Sequence, residues 1–393
     1  MKTNLAVIFG CRSVEHEVSI ISAVQAIHSV DPNKYNVIPL YVAKNGEMYT
    51  GEHLKTIEEF KNMPALIKKS DRVTLVKEGE NVVIKHLDNK LFNKKADILI
   101  DVVFPIVHGT NCEDGTIAGY LEFLNLPYIG CDILSAAVGM DKAVFKDVLA
   151  AANIPVLPCV KFSAREYSQN SQEIENKIIK AFDFPVIIKP INLGSSVGIS
   201  KAENLEELRA AITLATSFAD NILAEHAISD LREINCSVLG DGDNCEASVC
   251  EEPIMHDKIL SYKDKYMGNS GSKGMASLGR ELPANIPQEK SDEIRELSKK
   301  IFKAIGASGV VRIDYLLNSK TGEVFANEIN TIPGSLSFYL WEATGIKYPE
   351  LIDRLVELAF KRSRARQGLT FTINTNILSG VSFGTKGAKG SKF

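Results

Sequence analysis

The sequence predicts an α/β protein that begins with an open, largely parallel sheet and continues into units built on antiparallel strands. Three observations predict it. Between residues 4 and 130, short apolar runs alternate with stretches of helical period, the pattern of strands joined by crossover helices. Near the other end, "GVVRIDYLLN" and "EVFANEIN" flank the turn residues "SKTG", as in a hairpin. A chain of 393 residues has room for two or three domains and a large core.

The elements follow in order. "NLAVIFG" is a short apolar run ending in Gly, "SIISAVQAIHSV" has helical spacing, and "YNVIPLYV" reads as a second strand. "ADILIDVVFPIVHG" is a long apolar run, and "DGTIAGYLEFLNLPYIG" supplies a helix that closes at Pro127 and Gly130. Ligands of such sheets collect at the carboxyl ends of strands, where Glu15 and His108 fall. A second unit opens near Ser135. In "MDKAVFKDVLAAANIP", Val144, Phe145, Val148, Leu149 and Ala152 form one stripe, Lys142 and Lys146 share another face, and Pro155 ends the helix. "FPVIIKP" is a strand before the turn "INLGSSVGIS", and "NILAEHA" is the next. The third unit carries "REINCSVLGDG" and "CEASVCEEPIM" as antiparallel strands, a long polar loop, the helix "QEKSDEIRELSKKIFKAIG" and the hairpin. The expected divisions are 1–134, 135–226 and 227–362, followed by a basic Gly/Lys/Ser tail, 363–393, expected to be mobile.

Composition narrows the class. With 45% hydrophobic residues, 24% charged and a net charge of -4, the chain reads as an ordinary globular protein with no bias toward nucleic acid or anionic membrane. No apolar run approaches the roughly 18 residues that span a bilayer, and "MKTNLAVIFGCRSVEHE" is too short in its apolar part for a secretion signal. The expectation is a cytoplasmic protein without membrane insertion. Seven cysteines, none in a CxxC pair, read as reduced structural thiols, and the histidines lack zinc-ligand spacing.

Four stretches carry chemistry. In "KPINLGSSVG", Gly194 and Gly198 let the backbone approach a ligand, Ser195 and Ser196 offer hydroxyls, and Lys189 stands ready as a point charge for phosphate; any flexible hairpin looks similar. In "GVVRIDYLL", Arg312 and Asp314 share one strand face. A buried salt bridge is one reading; an arginine that steadies an oxyanion beside a metal-holding aspartate is the other. In "VFANEINTIPGS", the period of two sets Val324, Ala326, Glu328 and Asn330 on one face and Phe325, Asn327 and Ile329 on the other. Glu328 and Asn330 are then either solvated or oxygen ligands of Mg²⁺. The loop "SYKDKYMGNSGSKGMASLGRELPANIP" has the length of a lid, with Tyr262, Lys265 and Tyr266 at its start. Glu15 and Glu17 suit a helix N-terminus, and His16 and His108 fit structural roles.

In combination these residues are recognisable. The sequence resembles the D-alanine–D-alanine ligases, members of the ATP-grasp superfamily, from about Asn4 to Leu358. The matching pieces are "GCRSVEHEVSIISA", "VHGTNCEDGTIAGYLE", "PYIGCDILSAAVGMDK", "VIIKPINLGSSVGIS", "KDKY", "VRIDY" and "NEINTIPG", in the family's order. The resemblance implies an ATP-grasp fold preceded by the N-terminal α/β domain, and an ATP-dependent ligation of two D-alanines through an acyl phosphate for peptidoglycan synthesis. It further implies that Lys142 and Lys189 meet nucleotide phosphates, Lys265 reaches the γ-phosphate from the lid, and Glu225 and Glu233 contact adenine and ribose. Ser196 belongs with the nucleotide-binding turn. Asp314, Glu328 and Asn330 match ligands of two Mg²⁺ ions, with Mn²⁺ as a substitute. Arg312 and the Gly334 N–H match the oxyanion donors; Glu15, with Ser195 and Tyr266, matches the group that holds the first D-alanine, and His108 is a further neighbour. A homodimer is also implied.

The chain departs from the family after "NTIPG", where it reads "SLSFYLWEATG". Tyr339 falls where a serine is common, so Ser335, Ser337 and Tyr339 are the candidates for the second-substrate pocket. Cys112 stands where glycine is usual. Two alternatives compete: a related ligase with D-serine, D-lactate or another acceptor, and a noncatalytic nucleotide-binding sensor. Tyr266 favours an amine acceptor; Arg312, Lys265 and the metal-ligand set disfavour a pure binder.

Overall fold

The computed structural model of the chain describes residues 2–88, 95–194, 197–254 and 279–380. Three sheets organise them. The first contains β1 Thr3–Gly10, β2 Tyr35–Val42, β3 Met48–Thr50, β4 Asp71–Glu78, β5 Asn81–His86, β6 Ile98–Ile100 and β7 Val102–Ile106, in the order β6-β5-β4-β3-β2-β1-β7. β1 pairs in parallel with β2 and β7, and the helix His16–Ser29 carries the chain from β1 to β2. The remaining neighbours are antiparallel, so the expected parallel sheet is parallel only over the three strands at one edge, β2-β1-β7. The cause is local. Gly46 and Gly79 take positive φ (87° and 60°) in the turns β2–β3 and β4–β5, and strands joined by so tight a turn can pair only antiparallel. The run "ADILIDVVFPIVHG" breaks at Asp101, whose carboxylate accepts the Asn4 N–H at 2.7 Å, so its halves join opposite sides of the sheet.

The second sheet, order β10-β9-β11-β8, is antiparallel: β8 Cys159–Ser163, β9 Val186–Pro190, β10 Ser200–Ala202 and β11 Asn221–His226. The helices Ser171–Ala181 and Leu205–Thr216 bury Ile178 and Ile212 against Val186, Ile188 and Ile222. The third sheet is antiparallel with order β14-β13-β12-β15-β16: β12 Leu231–Gly240, β13 Cys245–Pro253, β14 Arg280–Glu281, β15 Gly309–Asn318 and β16 Val324–Asn330. The helix Gln288–Ala304 lays Ile294, Ile301 and Phe302 on it.

The β15–β16 hairpin corrects the face assignment. Tyr315 pairs with Ala326 but Asp314 pairs with Glu328, so Asn327 is an extra, bulged residue. Past the bulge the alternation inverts. Val324, Ala326 and Ile329 all enter the core, while Glu328 and Asn330 turn to the face that carries Arg312 and Asp314. Simple period-two counting would have left Ile329 in the site and Glu328 in the core.

After β16 the chain passes Pro333 and Gly334 into a left-handed turn, with φ of 50°, 55° and 48° at Ser335, Leu336 and Ser337. The helix Phe338–Thr344 follows and buries Trp341 completely; its indole N–H donates to Ser237 Oγ at 3.0 Å, and that hydroxyl donates to the Val311 carbonyl at 2.7 Å. Leu336 and Trp341 share one core cluster with Phe9 and Val24, which fastens the third sheet to the first. The helix Tyr348–Gln367 continues past the expected boundary at 362. Residues 381–393 of the basic tail, and 255–278 with most of the lid motif, lie outside the described residues. No described helix is long and apolar enough to cross a membrane.

Trp341→Ala is expected to cost about 3–5 kcal/mol, by transfer and cavity terms together. Chemical denaturation followed by far-UV circular dichroism measures it, since the chain's one tryptophan is lost with the substitution.

Candidate active site

The sheets converge on a cavity lined by Glu15, His108, Lys142, Glu233, Arg312, Asp314, Glu328, Asn330, Gly334 and Tyr339 among the residues singled out from sequence. Lys189, Glu225, Ser335 and Ser337 are not in its lining. Ser195, Ser196, Lys265 and Tyr266 lie outside the described residues.

Glu15 follows β1 and caps the helix His16–Ser29 by position, with no side-chain cap bond. It is 8% exposed. Two glycines make room for it: a Cβ on Gly109 would stand 2.8 Å from Glu15 Oε2 and 2.4 Å from Ser13 Oγ, and one on Gly194 would stand 2.8 Å from the same carboxylate oxygen. Gly109 also has a φ of 81°, which disfavours any side chain. The first unit and the turn after β9 therefore close on one carboxylate.

His108 follows β7 and sits 3.1 Å from Ser22 Oγ, which also accepts the Ser335 N–H at 3.0 Å. Burial drives its pKa down to about 4, so the imidazole is neutral at physiological pH and acts as a bracket. Glu113 is a site residue that sequence reasoning passed over. It accepts N–H bonds from Ile332 at 2.9 Å and Gly109 at 3.1 Å, yet burial first and the Glu15 charge second push its pKa up to about 7. In sequence it stands in "NCEDG", which reads as a turn. Asn235, Glu251 and Arg280 line the cavity too; no local motif marks them.

Opposite Glu15 lies an oxygen shelf on β15 and β16. Arg312 donates from Nε and a terminal nitrogen to the two Asp314 oxygens at 2.6 and 2.7 Å, and the Asn330 amide donates to Asp314 at 3.2 Å. Lys142 Nζ lies 3.1 Å from Glu328 and donates to the Leu193 carbonyl at 2.8 Å. The salt bridge expected for Arg312 and Asp314 is thus present, and it is part of the cavity wall. Two carboxylates and an amide oxygen on paired positions of adjacent strands form a hard donor set that fits Mg²⁺ with water or phosphate completing its shell.

Behind this wall, Glu225 is buried against Lys189 and against Lys146 at 3.0 Å, and Lys189 also donates to Asn327 Oδ1 at 3.0 Å. Burial raises the Glu225 pKa, but the two ammonium groups outweigh it and hold the carboxyl below its usual range. Burial lowers the Lys146 pKa despite that partner.

Two antiparallel sheets gripping a cavity that holds lysine, arginine and a hard-cation shelf, preceded by an α/β unit, define an ATP-grasp fold. Family models described as "D-ala D-ala ligase N-terminus" and "D-ala D-ala ligase C-terminus" match residues 4–131 and 148–357. The chain is 37% identical over 374 residues to the D-alanine–D-alanine ligase of Thermosipho africanus, covering 95% of this chain and 98% of that protein. To the ligase of Thermoanaerobacter sp. strain X514 it is 39% identical over 370 residues, with 91% and 96% covered. Among solved structures, the D-alanine–D-alanine ligase of Coxiella burnetii superposes with a TM-score of 0.79 at 29% identity, covering 93% of this chain and 96% of that one. The VanG D-Ala:D-Ser ligase of Enterococcus faecalis superposes with 0.77 at 30% identity, covering 91% and 100%. The chain belongs to the D-alanine–D-alanine ligase family.

Two outcomes follow from this geometry. Gly109→Ala is expected to abolish activity while Gly46→Ala, at another positive-φ glycine with nothing within 4 Å of an added Cβ, keeps it; steady-state rates measure both. For Glu113, the folded pKa of about 7 exceeds the ordinary 4.5. The unfolded chain therefore loses its proton first, and stability falls as pH rises from about 4.5 to about 7. Urea midpoints across that window should decline in the wild type and decline less in Glu113→Gln.

Proposed function

We propose that the protein joins two D-alanines at the expense of ATP, giving D-alanyl-D-alanine, ADP and phosphate. The observation that carries this reading is the meeting of Glu15, Arg312 and the Asp314–Glu328–Asn330 shelf in one cavity. The first D-alanine's ammonium goes to Glu15, enclosed by Gly109 and Gly194. Its carboxylate takes the γ-phosphoryl group of ATP, and the amine of the second D-alanine attacks the resulting acyl phosphate. Negative charge on the attacked oxygen is met by Arg312 and the Gly334 N–H, donors fixed in place before the charge develops. Phosphate then leaves. Lys142, Lys189, Ser196 and Lys265 serve the phosphates, Glu225 and Glu233 the nucleoside, and Ser195 and Tyr266 the first amino acid; this assignment rests on the family motifs. Asp314, Glu328 and Asn330 would hold Mg²⁺, two ions or their Mn²⁺ equivalents, which screens charge on the transferring phosphoryl. We place the protein in the cytoplasm, as a homodimer, on the family resemblance.

A D-serine acceptor is the second reading. The wall that carries Tyr339 is polar, with its hydroxyl 2.7 Å from Glu251, and a D-Ala:D-Ser ligase is among the structural relatives. Phosphate release from MgATP with D-alanine alone, and with D-alanine plus D-serine, with products identified by mass, decides between them. No release with either would leave the noncatalytic alternative. Glu328→Gln is expected to reduce Mg²⁺-dependent turnover roughly 10- to 100-fold with folding intact. Equal rates for variant and wild type at limiting Mg²⁺ would defeat the metal assignment.

A further inference from the structure

One wall of the cavity consists of polar groups that no motif assigns. Glu251 on β13, 3% exposed, is their centre. One of its oxygens accepts from the Tyr339 hydroxyl at 2.7 Å and from the Asn235 amide at 3.1 Å; the other lies 3.2 Å from an Arg280 terminal nitrogen. The Arg280 guanidinium also rests 3.8 Å over the Tyr339 ring. Arg280 is thus fixed edge-on by a carboxylate and face-on by an aromatic ring, and its side chain is 14% exposed at the cavity.

The chemistry of the reaction says what such a fork is for. An α-amino acid carries its carboxylate one carbon from its amine, so the group that binds that carboxylate must stand close to the point of attack. Arg312, Tyr339, Glu251 and Arg280 line one cavity, which brings this wall to the same space as the oxyanion donor. Three basic side chains line the cavity among the described residues. All three are paired, Arg312 with Asp314, Lys142 with Glu328 and Arg280 with Glu251; Arg280 is the one stacked on Tyr339, at the position where the chain departs from the family. A planar guanidinium matches a carboxylate better than any ammonium does, and its rigidity suits recognition of a small molecule. The Tyr339 hydroxyl is directed to Glu251, so this residue fills the position of the common serine without reproducing its role.

We propose that Arg280 binds the carboxylate of the acceptor amino acid, with Glu251 and Tyr339 as the residues that position its guanidinium. The proposal rests on the ligase reading above.

Initial rates against D-alanine concentration resolve separate KM values for donor and acceptor. Arg280→Lys and Arg280→Ala should raise the acceptor KM roughly 10- to 100-fold and leave the donor and ATP KM within about twofold. Glu251→Gln should shift the same constant by less. D-Alaninamide, an acceptor without the carboxylate, supplies the second readout: the wild type should prefer D-alanine strongly, and Arg280→Ala should lose that preference. If the variants slow both acceptors alike, Arg280 is only a tie between β14 and β13 and the proposal is overturned. An unchanged acceptor KM overturns it as well. Absence of D-alanine-dependent phosphate release in the wild type would instead defeat the ligase reading, and this proposal with it. Arg280→Lys retains the cation and tests the geometry even where Arg280→Ala fails to fold.

Discussion

The pairing of Asp314 with Glu328 across β15 and β16 is the constraint on which the site depends. It exists because Asn327 is left out of the ladder. Without that bulge, Glu328 would face Val311, Ile313 and Phe302 in the core, where an isolated carboxylate is strongly disfavoured. With it, apolar residues on both sides of the bulge pack inward and every polar residue beyond it faces Arg312. The bulged residue is itself tied down, because Asn327 Oδ1 accepts from Lys189. A phosphate-binding candidate of the second sheet is thereby coupled to the geometry of the shelf in the third.

Charge balance follows from that placement. Glu15, Glu113, Glu233, Glu251, Asp314 and Glu328 line the cavity against Lys142, Arg280 and Arg312 among the described residues. Part of the surplus is removed by proton uptake, since burial and the neighbouring Glu15 keep Glu113 protonated to about pH 7. The rest suits ligands that bring positive charge with them, a divalent cation and an amino-acid ammonium. Buried Glu225 shows the contrasting solution: two lysines hold it ionised. The same residue type holds its proton in one place and gives it up in another, according to which cations reach it.

Much of this was legible in the sequence, and the remainder was hidden for identifiable reasons. Glu15, Arg312, Asp314, Glu328 and Asn330 stand in contiguous motifs, so their grouping could be read from order alone. The parallel edge of the first sheet was legible from alternation; the antiparallel remainder was not, because β3 and β6 have only three residues each and carry little periodicity. The face of Glu328 was misassigned because a bulge leaves no mark in a period-two pattern. Glu251 and Arg280 were missed because their meaning comes from the β13–β14 pairing and from Tyr339, far away in the chain. Ser335 and Ser337 drew notice for their chemistry, but the backbone turns both side chains into protein.

The left-handed turn explains why those serines are buried and Tyr339 is not. L-residues in this conformation cost roughly 1–2 kcal/mol each, and three in succession persist only where packing over-determines them. Here Leu336 and Trp341 are held in the core shared by the first and third sheets, and Ser22 takes the Ser335 N–H. The turn redirects the chain so that Gly334 stays on the cavity and the helix Phe338–Thr344 begins with Tyr339 against Glu251. The position of the wall that carries Tyr339 is consequently set by a core contact among residues that do not line the cavity. A change of core packing at Leu336 would move Tyr339, then the guanidinium stacked on it, and so reach acceptor choice through the frame.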